Sequence, residues 1–194
     1  ERQVHRFDIV LPTPEPVTDL TISADGSTVA YLGGTAGSDF IYILDLSTGQ
    51  SHALEGTDGT QVAELSEDGS SILITGGLNV DISSTRVSAP VTLFQTQEGT
   101  PRANWGPDGR IVYEDDQRLY VFEQETGQRL EVELNDTTGV LDLDWPSVLP
   151  DNKRIMATIE YSGQNRGLGF WDIDTGKELG RVQQGGYRAR YVPS

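Results

Sequence analysis

Short apolar runs separated by polar turns recur along the chain at intervals of about forty residues, in the range of propeller-type repeats. The turns share a Ser-x-Asp-Gly pattern or a close variant. Their aspartates are 43, 40 and 43 residues apart, at Asp25, Asp68, Asp108 and Asp151. Asp-Gly and Asp-Asn pairs accept the positive φ that a tight hairpin between twisted strands requires. Each turn therefore predicts a hairpin corner.

The residues after each corner are apolar at consecutive positions, which is typical of strands buried on both faces. These runs begin at Val29, Ile72, Ile111 and Ile155. In three repeats a third strand follows and ends at a second corner, at Thr48-Gly49, Thr126-Gly127 and Thr175-Gly176. The second repeat lacks this corner, and we expect its last two strands around residues 78–82 and 90–94. With one strand before the first corner and one after the second, each repeat has four strands.

Four-stranded repeats of this length are the signature of β-propeller blades. We predict an all-β fold, a β-propeller of four-stranded antiparallel blades with about four blades and the first strand of a fifth. The predicted blades are 17–57, 58–97, 98–137 and 138–184, and the fifth begins at 185–194. Residues 1–16 are predicted to form an N-terminal strand and a Pro-rich linker. We therefore expect a partial propeller.

Charge and composition narrow the classes of partner. The chain has 30 Asp and Glu against 14 Lys and Arg, a net charge of −16, and no basic patch. This balance argues against nucleic acid and against an anionic membrane surface. No apolar run approaches the length of a membrane helix and no charged leader precedes a short one, so we expect neither a span nor a signal peptide in these residues. Cysteine is absent, which removes disulfides, thiolate ligands and cysteine nucleophiles.

The sequence offers little catalytic chemistry. A serine hydrolase needs an imidazole beside its nucleophile, but the two histidines, His5 and His52, fall on predicted surface strands and no Gly-x-Ser-x-Gly elbow is present. The Gly-rich stretch 33–37 lacks the lysine and helix of a phosphate-binding loop. We expect no enzyme activity, no catalytic residue, no cofactor and no metal. Trp105 and Trp145 precede successive corners, and their matching places predict packing between blades.

The candidate binding surface consists of four aspartates. Asp115 and Asp116 lie at a predicted hairpin tip, and Asp142 and Asp144 alternate along one face of an inner strand, toward the central channel. Two carboxylates across a cleft could also serve glycoside hydrolysis. An acidic chain must place many carboxylates on hydrated surfaces, however, so we expect these four to contribute to recognition only.

The repeated Ser-x-Asp-Gly corner and the later Asp-x-x-Thr-Gly corner resemble the WD40-like β-propeller repeats of the TolB type, over about residues 17 to 194. The Phe-x-Ile-x-Leu-Pro stretch from Phe7 and the Trp-Pro stretch from Trp145 are similar to the propeller domains of bacterial receptor-like serine/threonine kinases. The resemblance implies a non-catalytic binding or scaffolding module, a sensor domain of a larger bacterial protein, outside the cytoplasm or in the periplasm. The alternative is the gating propeller of a prolyl-oligopeptidase-type hydrolase.

The expected partner is a protein, a peptide or a small ligand at one mouth of the propeller. We also expect this chain to self-associate if it is the whole protein. The reason is that an open arc of blades exposes apolar faces and unpaired strand edges at its two ends.

Overall fold

A computed structural model describes residues 17–35, 38–86 and 89–182. The first two blades contain β1 (Val17–Ile22), β2 (Thr28–Thr35), β3 (Ser38–Asp45), β4 (Gln50–Ala53), β5 (Val62–Leu65), β6 (Ser71–Gly76), β7 (Asn79–Ser84) and β8 (Val91–Gln95). The next two contain β9 (Ala103–Trp105), β10 (Ile111–Asp115), β11 (Arg118–Phe122), β12 (Arg129–Glu131), β13 (Val140–Val148), β14 (Arg154–Tyr161), β15 (Asn165–Asp172) and β16 (Glu178–Val182). The predicted N-terminal strand and the start of a fifth blade lie outside the described residues.

The strands form four antiparallel sheets of four strands, each connected in sequence order. The prediction of an all-β fold built from propeller blades is confirmed. None of the described residues forms a helix long and apolar enough to cross a membrane.

The hairpin corners follow from local side-chain chemistry. In the first blade the Ser23 hydroxyl donates to Asp25 Oδ1 (2.7 Å), and the Ser27 backbone N–H donates to the same oxygen (2.9 Å). The second blade repeats both bonds with Asp68 as the acceptor. The turn then needs a residue at positive φ, which Gly26 supplies at 72°. These contacts explain why the Ser-x-Asp-Gly pattern is a reliable sign of a strand end.

The described core consists of four clusters: three are each shared by two neighbouring blades, and the fourth, around Tyr31, lies within blade 1. The second strand of blades 2, 3 and 4 begins its apolar run with an isoleucine that is fully buried: Ile72, Ile111 and Ile155. Burial of such a side chain stabilises the fold by about 1.5–3 kcal/mol. The blades are therefore held together mainly by apolar packing between faces of successive sheets.

The antiparallel order gives the molecule two distinct ends. The turns between first and second strands, at Asp25, Asp68 and Asp108, lie at one end, which we name the corner end. The turns between second and third strands and the links from one blade to the next lie at the other, which we name the connector end. Each end carries a groove.

Candidate functional site

A groove of about 340 Å³ opens at the connector end, between blades 3 and 4. Its wall combines the link 98–102, the tip of the β10–β11 hairpin and the start of β13. The charged side chains on this wall belong to Glu98, Arg102, Glu114, Asp115, Asp116 and Asp142. We name it the acidic groove because five of these six carry a carboxyl group.

Three of the four predicted aspartates line this groove, and the fourth lies directly behind it. Asp116 is exposed at the hairpin tip with a φ of 49°, and Asp142 is half-buried on β13. Asp115 is buried, and its Oδ1 accepts the backbone N–H groups of Gln97 (2.8 Å) and Glu98 (3.4 Å). Asp144 is also buried. Asp116 and Asp142 therefore offer carboxyl groups to the groove, whereas Asp115 holds the link in place.

A bulge in β13 sets the positions of Asp142 and Asp144. The two residues pair with Glu160 and Thr158 on β14, but the register then slips before Ser147. Trp145 lies in this slip with a φ of 56°, an uncommon conformation for a residue other than glycine. The Asp144 carboxylate accepts the Trp145 N–H (2.8 Å) and so supports the bulge.

Sequence reasoning missed the cation at the centre of the site. Arg102 Nη1 donates to Glu114 Oε1 (2.9 Å) and to Asp144 Oδ1 (3.2 Å), which joins blade 3 to blade 4. The Arg102 guanidinium also lies 4.1 Å from the centre of the Trp145 ring, in cation–π contact. No sequence pattern signals this arrangement, because Arg102 stands in an irregular link and its partners lie on two different sheets.

Glu114 is the second residue that the sequence analysis did not single out. It directly follows the apolar run of β10, so it looks like the polar end of that strand. Its Oε2 is buried with no donor in reach, while the Asp144 carboxylate lies beside it. Burial, with the Asp144 bond and charge acting in the same direction, raises the pKa of Glu114 to about 8 against the pull of Arg102. This shift favours the protonated form of Glu114 at neutral pH, and that form can donate a hydrogen bond to the neighbouring Asp144 carboxylate.

The same environment acts on Asp142. Its pKa is raised, first by burial and then by the charges of Asp144 and Glu160, although the Leu143 N–H opposes this. On this wall, burial is thus a stronger cause than the charge of any neighbouring side chain in favouring the neutral form of a carboxyl group. The groove can accept positive charge, since a cation would restore the ionised form of both groups.

Other sequence candidates fall elsewhere. His52 is exposed, and its Nε2 lies 3.1 Å from the Thr85 carbonyl oxygen; His5 is outside the described residues. Within 17–35, 38–86 and 89–182, no group of three or more histidine, cysteine or acidic side chains is placed to hold a metal ion. The matching places predicted for Trp105 and Trp145 are wrong. Trp105 pairs with Ile111, but Val148 pairs with the equivalent Ile155, and the bulge leaves Trp145 only half-buried.

Four successive four-stranded blades define this chain as a β-propeller segment. Comparison with family models and with curated proteins finds no match. Solved structures do match: TolB from Acinetobacter baumannii aligns with a TM-score of 0.71 and 21% identity, over 86% of this chain and 43% of TolB. A puromycin-hydrolyzing peptidase of Mycobacterium tuberculosis aligns with a TM-score of 0.70 and 15% identity, over 92% of this chain and 30% of the peptidase.

A structure of a nidogen/laminin complex also aligns, with a TM-score of 0.66 and 12% identity, over 90% of this chain and 66% of the matched one. At these identities the likeness shows the fold alone. The chain spans less than half the length of the A. baumannii TolB that it matches. The TolB-type fold is thus supported, while the resemblance to kinase propellers stays a prediction.

Proposed function

We propose that this chain is a non-catalytic recognition domain that binds a cationic group of a protein, peptide or small ligand in the acidic groove. One observation carries the proposal. Of the side chains that line this groove, Arg102 is the positively charged one, and its guanidinium is already bonded to Glu114 and Asp144. The carboxyl groups of Asp116, Glu98 and Asp142 stay available to a ligand.

The similarity to structures of proteins that bind other proteins, such as the nidogen/laminin complex, supports a binding role. The TolB-like fold supports the further proposal that the domain works as a sensor or scaffold outside the cytoplasm of a bacterium. The wide use of propellers makes this second step an argument from analogy.

The direct test is a titration with Nα-acetyl-lysine methylamide, followed by NMR at pH 6 and pH 9. The probe should bind more tightly at pH 9, because Glu114 loses its proton near pH 8 and leaves a carboxylate beside the ligand. Asp142→Asn should weaken binding by about threefold, on the scale of one exposed ion pair. Asp58→Asn changes an exposed acid in the link between blades 1 and 2 and is the matched control.

Equal losses in Asp142→Asn and Asp58→Asn would mean that net charge alone attracts the probe, and would overturn the proposal. The absence of any pH effect would remove the role of Glu114.

The similarity to the propeller part of a peptidase favours one alternative, a propeller that filters substrates for a catalytic domain. Sequencing the coding region on both sides of this chain separates the two. A downstream Gly-x-Ser-x-Gly domain would support the filter. A membrane span and a kinase domain upstream would support the sensor.

A further inference from the structure

A second groove, of about 560 Å³, lies at the corner end, across the strands from the acidic groove. The turns of blades 1, 2 and 3 converge on it, so that one depression runs along three successive corners. Carbon atoms form much of its wall, with Ala24, Pro107 and the ring of Trp105 among the lining residues. Asp25, Glu67 and Asp68 add negative charge. We name it the corner groove.

The wall of the corner groove is built rigidly. The Ala24 N–H donates to the Glu67 carbonyl oxygen (3.0 Å), which joins the corners of blades 1 and 2. A Cβ atom at Gly69 would lie 3.0 Å from Ser23 Cβ, so these two corners are in close contact. Trp105 Nε1 donates to the Gly109 carbonyl oxygen (3.3 Å), which fixes the plane of the indole. A ligand would therefore meet a preformed surface and lose little to ordering of the protein.

Local hydrogen bonds favour the charged form of two carboxyl groups on this wall. The Ser23 hydroxyl and the Ser27 N–H hold the pKa of Asp25 below its usual value. The Ser70 N–H and the Ser66 hydroxyl do the same for the pKa of Asp68. Arg110 follows the lining residue Gly109, and its guanidinium is bonded to Asp108, Asp174 and the Asn152 carbonyl oxygen. None of the lining residues carries a positive charge.

We propose that the corner groove docks an extended, arginine-containing polypeptide segment. A guanidinium stacks on an indole face through its plane and bonds carboxylates through its edge, so Trp105 beside Glu67 and Asp68 suits arginine better than lysine. The segment runs along the depression across the three corners, with apolar contacts from Ala24 at the first corner and from Trp105 and Pro107 at the third. The partner is thus distinguished by charge and by shape, and it occupies a different end of the propeller from the ligand of the acidic groove.

The inference is independent of the proposed function, because the two grooves share no residue. If both hold, the domain can bridge two partners, one at each end of its strands. Such an arrangement would give the scaffolding role a structural basis.

The test uses the peptide acetyl-Gly-Ser-Arg-Gly-Arg-Ser-Gly-amide and the indole N–H signals of the three tryptophans, Trp105, Trp145 and Trp171. Binding should shift the Trp105 signal and leave the signal of the buried Trp171 in place. A peptide with citrulline for arginine, which has the same shape without the charge, should not bind. The lysine peptide should bind about threefold more weakly, since it loses the planar stack.

Two variants locate the site on the protein. Glu67→Gln changes an exposed side chain and should weaken binding by about threefold. Glu55→Gln, which changes an exposed side chain in the link between blades 1 and 2 and lines neither groove, should leave binding unchanged. Trp105→Leu should weaken binding by about tenfold, and its unfolding curve shows whether the fold is kept.

Several results would overturn the proposal. One is a shift confined to Trp145, which would place the peptide in the acidic groove. Others are equal losses in Glu67→Gln and Glu55→Gln, equal binding of the citrulline peptide, or no binding at all. A failure of Nα-acetyl-lysine methylamide to bind the acidic groove would leave this result untouched, so the two proposals fail separately.

Discussion

The junction between blades 1 and 2 and the junction between blades 3 and 4 have the same backbone plan but different side chains. At each, a fully buried isoleucine pairs with a residue on the third strand of the same blade. In blade 2 Ile72 pairs with Ser83, whereas in blade 4 Ile155 pairs with Trp171. Gly169 makes room for that ring, because a Cβ atom there would overlap it. At a propeller junction a large side chain can thus replace a small one when a neighbouring residue is small enough to make room.

The polar contacts of the two junctions also differ. Blades 1 and 2 are joined by neutral bonds, such as the one from Ala24 N–H to Glu67 O, and no ion pair among the described residues connects them. Blades 3 and 4 are joined by Arg102 to Asp144 and by Arg110 to Asp174. At this second junction the charged groups both connect the two blades and line the acidic groove. The candidate site therefore lies there.

The largest expected effect is at the apolar centre of the charged junction. Trp171→Ala removes a fully buried ring and its bond to the Glu133 carbonyl oxygen (2.9 Å), and should lower the free energy of unfolding by about 3–5 kcal/mol. Ser83→Ala, at the equivalent position of blade 2, should cost about 1 kcal/mol or less. Urea unfolding measures both. Similar losses would show that the two junctions do not differ as described.

Arg102→Leu should cost about 2–3 kcal/mol, because it leaves Asp144 without its cation in a buried place. The loss should grow above pH 8, where Glu114 also becomes charged. Chemical unfolding at pH 6 and pH 9 tests this. Arg166→Leu, which breaks an ion pair to Glu160 with a more exposed arginine, serves as the control and should cost less than about 1 kcal/mol.

The effect of Glu114→Gln should depend on pH. The pKa of Glu114 is about 8 in the fold and near 4.5 when unfolded, so the native state holds the extra proton and stability falls as pH rises between these values. Glutamine keeps a donor for Asp144 and never ionises. The variant should therefore match the parent near pH 4 and exceed it at pH 9 by about 1–2 kcal/mol. An unchanged difference between pH 5 and pH 9 would contradict the shared proton.

The smallest effect concerns the neutral junction. Thr60 is buried in the link between blades 1 and 2, and its hydroxyl donates to the Thr57 carbonyl oxygen (2.8 Å). Thr60→Val should cost about 1 kcal/mol, the net value of one hydrogen bond. This cost should be the same in low and high salt, whereas the loss in Arg166→Leu should shrink as salt screens its more exposed ion pair. Unfolding in 0.05 M and about 1 M KCl compares them.

Local chemistry made the fold readable from the sequence. The Ser and Asp side chains of the corners bond within their own turns, so the pattern needs no knowledge of distant residues. In the second blade the strands expected around 78–82 and 90–94 are β7 (Asn79–Ser84) and β8 (Val91–Gln95), close to their predicted positions without a Thr-Gly corner.

The site was readable only in part. Asp115, Asp116, Asp142 and Asp144 could be singled out because hairpin tips and strand alternation are local patterns, and their role in recognition stays a prediction. Arg102 and Glu114 were missed because their meeting depends on the register between two sheets and on the bulge at Trp145. The corner groove was missed for the same reason, since three turns 40 or more residues apart combine to form it.

Arg102 also sets a threshold for whatever enters the acidic groove. Its guanidinium lies between an indole ring and two carboxyl groups, so the chain carries its own competitor for the deepest part of the site. Because Arg102 is part of the chain, it competes at an effective concentration on the order of millimolar under all conditions. We therefore expect small ions to bind only at the outer carboxyl groups, such as those of Glu98 and Asp116. A ligand reaches Asp144 only if its other contacts bind strongly enough to displace Arg102. This requirement makes the acidic groove selective.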